Sequence, residues 1–68
     1  MKFNNVYLAP GQVTAALEID EQLQLYDAEG INWLLKQNTL PQNDREQCVL
    51  ALEAIERTAR TMRLLGNT

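Results

Sequence analysis

The sequence has no histidine and no serine, and its single cysteine is Cys48. Catalytic systems that pair a serine or cysteine nucleophile with histidine are therefore excluded within one chain, and so is histidine-based zinc catalysis. One cysteine forms no internal disulfide, and a lone thiol fits a reducing cytoplasm. We expect no catalytic residue, no bound metal and no cofactor, and hence a protein that is not an enzyme.

Positive charge is also scarce. Six lysines and arginines stand against nine acidic residues, which gives a net charge of −3. A duplex-DNA binder needs a basic surface to displace counterions, so the composition argues against DNA as a partner. The chain lacks an apolar run of the ~18–20 residues that span a membrane, and residues 1–11 do not read as a signal peptide.

The length of 68 residues limits the core that the chain can build. A domain of this size buries only ~60% of the surface that its unfolded chain exposes. Disulfides and metals, the usual reinforcements of small domains, are not available here. We therefore expect a single domain over residues 1–68 that forms a homo-oligomer.

The apolar pattern predicts helices after an N-terminal arm. Residues 1–10 read as an extended arm or a short strand, and Pro10-Gly11 marks a turn or a helix start. Helix 1 is predicted over residues 11–37, because apolar positions there recur at steps of three and four. These positions are Ile19, Leu23, Tyr26, Gly30, Trp33 and Leu34.

A second helix is predicted over residues 44–65, after a loop at 38–43. It carries a heptad-like seam, and Gly66-Asn67 is expected to end it. The seam consists of Cys48, Leu52, Ile55, Ala59 and Met62. The predicted fold class is all-α: an antiparallel two-helix hairpin with an extended N-terminal arm, assembling into a homo-oligomeric helical bundle.

Four arginines on the second helix are candidates for binding phosphate. Arg57, Arg60 and Arg63 form a ridge that either holds phosphates or pairs with Glu53 and Glu56. Arg45 lies in the first turn, where its charge opposes the helix dipole. Either an anionic ligand explains Arg45, or it is a solvated arginine beside two acidic neighbours.

The aromatic and the acidic side chains of helix 1 each have two possible roles. Tyr26 and Trp33 are seven residues apart, so they either pack in the core or stack on nucleobases. Tyr7, in the arm, is less committed to the core. Three carboxylates, Asp20, Glu21 and Asp27, form a solvated acidic face or, alternatively, an acid/base or divalent-metal site.

The start of the second helix resembles a known family. The stretch Leu40-Pro-Gln-Asn-Asp-Arg-Glu-Gln-Cys48, followed by Leu52-Glu-Ala-Ile-Glu-Arg-Thr-Ala59, is similar to a helical hairpin of phage anti-CBASS and anti-Thoeris sponges. The resemblance covers roughly residues 30–62. It implies an oligomer that sequesters cyclic-nucleotide immune signals without cleaving them. It also implies that Arg45, in the Asp44-Arg45-Glu46 triplet, contacts a signal phosphate.

Two functions remain open at this point. The first is a cytoplasmic phage-type sponge, acting in the host cell, that binds a cyclic di- or trinucleotide or a related signal at inter-subunit pockets. Its expected ligand-binding residues are Arg45, Tyr26, Trp33, Arg57, Arg60, Arg63 and Tyr7. The alternative is a small acidic helical inhibitor or adaptor that binds a host protein through its amphipathic hairpin.

Overall fold

Residues 2–26 form an antiparallel sheet. In the computed structural model, which describes residues 1–66, the strands are β1 (Lys2–Ala9), β2 (Gln12–Ile19) and β3 (Gln22–Tyr26). They pair in the order β1-β2-β3, so β2 is central and the other two strands are edges. The helices are α1 (Ala28–Leu35) and α2 (Gln42–Gly66). The fold is α+β, and the predicted all-α two-helix hairpin is wrong.

The predicted N-terminal arm is strand β1. It pairs with β2 from Lys2 opposite Glu18 to Ala9 opposite Gln12, with a bulge between Phe3 and Asn5. Pro10-Gly11 joins the two strands as a two-residue turn. The φ of Gly11 is +73°, which matches the third residue of a type II turn after a proline.

The single helix predicted over residues 11–37 is wrong for residues 12–26, which form β2 and β3, and only Ala28–Leu35 of that range is helical. Residues 12–26 also alternate with a period of two, which is the pattern of a strand. The helix-facing side of the sheet carries Val13, Ala15 and Leu17, and the other side carries Thr14 and Ala16. The turn that separates β2 from β3 consists of Asp20 and Glu21, with φ of 52° and 66°. Both residues adopt the left-handed conformation that a type I′ hairpin turn requires.

Helix α1 is short, and it begins almost directly after the end of β3. Asp27 is the N-cap, and its Oδ1 accepts a hydrogen bond of 2.8 Å from the Gly30 backbone N–H. A Cβ at Gly30 would lie 3.2 Å from the Tyr26 ring, so the first turn packs closely on β3. Ile31 is the buried residue of this helix.

Helix α2 confirms the prediction of a long second helix over residues 44–65. It begins at Gln42 and has 25 residues, or about 37 Å at ~1.5 Å per residue. Asn67, which was expected to end it, lies outside the described residues. The buried core combines β2, α1 and α2, and its members are Ala15, Leu17, Ile31, Cys48, Ala51 and Ile55. Neither helix of residues 1–66 has both the length and the apolar character that crossing a membrane requires.

Substitutions in the two hairpin turns should change the stability of the protein in opposite directions. Gly11→Ala should destabilise the protein by about 1 kcal/mol, because alanine disfavours a positive φ. No heavy atom of residues 1–66, apart from the two chain neighbours, lies within 4 Å of the new Cβ, so the cost is one of backbone conformation alone. Glu21→Gly should instead stabilise the protein, by up to about 1 kcal/mol. Urea unfolding of both variants measures the two effects.

The matched control is Glu18→Gly, an exposed position inside β2, where glycine should destabilise the strand by roughly 0.5–1 kcal/mol. If Glu21→Gly destabilised the protein as Glu18→Gly does, the left-handed turn at Asp20 and Glu21 would be contradicted.

Candidate functional site

Arg45 binds backbone carbonyls at the C-terminal end of α1. Its Nη1 donates to the Leu35 carbonyl at 2.9 Å, and its Nη2 donates to the Gln37 carbonyl at 3.0 Å. A cation at a helix C-terminus is favoured by the helix dipole and binds carbonyls that have no partner within the helix. The guanidinium therefore opposes the dipole of its own helix but complements that of α1. Its role in binding phosphate stays a prediction, with these two nitrogens already engaged.

The three predicted aromatic residues lie in three different places. Tyr26 ends β3, is half-buried against the core, and donates its hydroxyl to the Gln24 Oε1 at 2.9 Å. Trp33 lies on α1 and is 62% exposed, and Tyr7 lies on β1 and is 45% exposed. Tyr26 and Trp33 therefore do not share a helix face, because Tyr26 precedes the helix.

The arginine ridge lies on the C-terminal half of α2. Arg57, Arg60 and Arg63 are all exposed. The described residues contain one ion pair within 4.0 Å, between the Met1 ammonium and Asp44, so the ridge does not pair with Glu53 or Glu56. Arg45 and Arg63 are separated by about 27 Å along the helix at ~1.5 Å per residue. The structure therefore does not bring the four arginines into one site.

The predicted acidic face does not exist as one surface, since its members occupy different elements. Asp20 and Glu21 form the β2–β3 turn. Asp27 caps α1, and its second oxygen accepts a hydrogen bond of 3.0 Å from the Gln12 Nε2. Within residues 1–66, no group of three or more acidic or cysteine side chains is arranged to hold a metal ion.

A groove of about 620 Å³, here called the α2 groove, opens beside the C-terminal half of α2. It lies between the β1–β2 turn, the start of α1 and α2. Its apolar lining includes Leu8, Val13, Ala28, Ile55, Ala59 and Met62. A smaller adjoining recess of about 290 Å³ is lined by charged side chains as well, namely Glu56, Arg60 and Arg63.

The second apolar surface, here called the open sheet face, is the side of the sheet that faces away from the helices. Tyr7, Leu23 and Leu25 stand on it and are 45%, 56% and 62% exposed. Between them lie Thr14 and Ala16, which are small and largely covered by their cross-strand neighbours. Sequence reasoning missed this face, although the alternation Gln22-Leu-Gln-Leu-Tyr26 signals a strand with one apolar side.

Charge is distributed unevenly along the chain. Residues 3–35 contain five of the nine acidic residues and no lysine or arginine. Four of these five flank β3 or the start of α1: Asp20, Glu21, Asp27 and Glu29. The sheet edge at β3 is therefore electronegative, whereas the arginine ridge is at the C-terminal end of α2.

Cys48 belongs to the core and offers no reactive thiol. Its side chain is fully buried, and its Sγ lies 3.5 Å from the Met1 Sδ. Burial raises the pKa of this thiol, and the nearby Asp44 carboxylate raises it further. Because the thiolate is the nucleophilic form, both effects disfavour nucleophilic chemistry at Cys48.

The chain matches no protein-family model, no curated protein and no solved structure.

The role of Arg45 gives a stability prediction. Arg45→Ala should destabilise the protein by about 2 kcal/mol, because two charge-assisted hydrogen bonds to the end of α1 are lost. Arg45→Lys should fall between this variant and the wild type, since lysine keeps the charge but not the two-pronged donor. Urea unfolding monitored by circular dichroism measures both.

Arg57→Ala is the matched control, because Arg57 is exposed and makes no side-chain hydrogen bond or ion pair within residues 1–66. Its unfolding free energy should stay within about 0.5 kcal/mol of the wild type. An Arg45→Ala protein as stable as Arg57→Ala would show that the guanidinium does not hold the two helices together.

Proposed function

We propose that this chain is a non-catalytic binding protein that captures an extended segment of another protein along strand β3 and the open sheet face. The observation that carries the proposal is the exposure of Leu23 and Leu25 on a sheet edge. Of the two functions expected from the sequence, this proposal retains the acidic inhibitor or adaptor that binds another protein. The binding surface is now the sheet and not a helical hairpin.

Strand β3 offers backbone groups as well as side chains. Among residues 1–66 its only strand neighbour is β2, so one side of its backbone ladder is open. An extended peptide adds a strand to such an edge through main-chain hydrogen bonds, and pockets for alternate side chains supply specificity. The five residues Gln22–Tyr26 contain no proline, glycine or charge that would discourage an added strand.

An added strand would also bury part of the apolar surface beside this edge. A group of exposed apolar side chains on one face is a typical feature of protein interaction sites. Thr14 and Ala16 in the middle of the face are already buried, so a partner would pack on the exposed side chains of Tyr7, Leu23 and Leu25. Each fully buried leucine contributes roughly 1.5–3 kcal/mol to such an association.

Charge indicates a basic partner segment instead of a second copy of β3. If two β3 strands paired antiparallel about Gln24, Glu21 of one copy would face Asp27 of the other, and the like charges would repel. A segment with lysine or arginine at its ends would be attracted to the same two positions. We therefore assign the edge to an extended apolar segment with basic flanks.

The experiment combines site-specific crosslinking with a binding measurement. A photoreactive amino acid at Leu25 should crosslink one protein in cells, and the same group at Leu64 should not. Leu64 is 65% exposed but lies on α2, so it is a matched control. With the identified partner purified, Leu25→Ser should weaken binding about tenfold or more. Leu64→Ser should leave the affinity unchanged.

Two further results decide the case. Glu21→Gln should weaken binding at low salt and have less effect at high salt, because screening removes a surface attraction. The proposal is wrong if Leu25→Ser and Leu64→Ser change the affinity equally, or if the crosslinked partner segment is acidic.

The second candidate is the cyclic-nucleotide sponge that the sequence resemblance implies. One observation favours it: Arg60 and Arg63 line the recess next to the α2 groove. Arginine forks suit the phosphates of such a ligand, and the recess would need a second subunit to enclose it.

Native mass spectrometry with a panel of cyclic di- and trinucleotides and cyclic ADP-ribose isomers tests this candidate. A discrete adduct should appear on the wild type and be lost in Arg63→Ala. It should persist in Lys36→Ala, which removes an exposed cation outside the recess. Absence of any adduct across the panel would contradict the sponge.

A further inference from the structure

We propose that the α2 groove is the homodimer interface of this protein. A second copy of the chain covers it, and the C-terminal halves of the two α2 helices cross antiparallel. The proposal goes beyond partner binding, because it uses a surface on the other side of the sheet. Its outcome does not depend on whether β3 binds another protein.

The groove continues the apolar face of α2 past the end of the core. Ile55 is the last residue of α2 in the buried core. Ala59 and Met62 follow at steps of four and three, so they lie on the same face of the helix. They line the groove with Leu8, which is 59% exposed, and Met62 itself is 47% exposed. A helix laid against this face would extend the core by two turns.

Two of the charges beside this face, Glu56 and Arg63, are complementary to each other in one orientation. Glu56 and Arg63 are seven residues apart, line the same recess, and have Ala59 between them. In a two-fold dimer, residue i of one copy meets residue j of the other and the reverse contact is also made. An antiparallel crossing near Ala59 therefore places Glu56 of each copy opposite Arg63 of the other. Both charges are available, because neither forms an ion pair within the described residues.

The same residues disfavour the opposite orientation. In a parallel crossing Glu56 would face Glu56 and Arg63 would face Arg63, so both contacts would be repulsive. Ala59 permits a close antiparallel approach, because its small side chain lies where the helices would cross. Helix dipoles also align favourably in the antiparallel arrangement.

The small core supplies the reason for dimerisation. Of its six members only Leu17, Ile31 and Ile55 are large aliphatic residues. A stable interface buries about 800 Å² per partner, or roughly a sixth of the 5031 Å² that one chain exposes. Covering Leu8, Val13 and Met62 in this way removes apolar surface from water that the monomer leaves exposed.

Sedimentation equilibrium of the full chain tests the proposal across micromolar to millimolar concentrations. The wild type should reach twice its monomer mass of 7.7 kDa. Met62→Asp should raise the dimer dissociation constant about tenfold or more, because it buries an unpaired charge in the interface. Leu50→Asp is the control, since Leu50 is 50% exposed but does not line the groove. It should leave the dimer intact.

A charge exchange tests the orientation without relying on Met62. Arg63→Glu alone and Glu56→Arg alone should each weaken the dimer, because each places like charges opposite one another. An equimolar mixture of the two variants should form a heterodimer. In it the two introduced side chains, which have opposite charges, would face each other, and the native Glu56 of one variant would face the native Arg63 of the other. Circular dichroism of each variant establishes that the fold is retained.

Three results would overturn the proposal. The first is a wild type that stays monomeric throughout the concentration range. The second is a dimer that Arg63→Glu leaves unchanged or that the mixture fails to restore. The third is a dimer that Leu25→Ser dissociates and Met62→Asp does not, which would place the interface on the open sheet face.

Discussion

The close contact between α2 and the central strand is the interaction on which this small fold depends. Ala51 and Cys48 of α2 meet Ala15 and Leu17 of β2 in the core, and all four are fully buried. Three of these four side chains are small, so the helix axis can lie near the sheet without leaving a cavity. The same contact explains why Cys48 behaves as a core residue and not as a nucleophile.

A core made of small side chains has a consequence for the surface. Close packing leaves little volume for large apolar residues, yet the chain contains many of them. Leu23 and Leu25 remain exposed on the open sheet face, and Met62 remains exposed beside the α2 groove. A large apolar side chain that the core does not accommodate gains the most by contact with another molecule. The exposure of Met62 follows from where the small core ends, whereas Leu23 and Leu25 are exposed because strand alternation places them on the side of the sheet that faces away from the helices.

The sequence was sufficient to predict α2 but not the sheet. Helix α2 carries an uninterrupted seam, and both its length and its position agree with the prediction. In residues 12–26 the steps of three and four from Ile19 to Tyr26 span a turn, which makes a helical period arise by coincidence. That turn is built from Asp20 and Glu21 in left-handed conformations, without the glycine or asparagine that normally marks a hairpin. The competing period of two in β2 was the correct signal.

The candidate site was predictable to a similar degree. The opposition between Arg45 and its own helix dipole drew attention to this residue, but the sequence suggested only an anionic ligand or solvation as the explanation. Its observed partners, the carbonyls of Leu35 and Gln37, depend on where α1 ends, which the wrong helix boundaries concealed. The open sheet face could not be predicted at all once β3 was assigned to a helix. Exposed apolar residues can be grouped into a binding surface only when the strands and helices that carry them are correctly assigned.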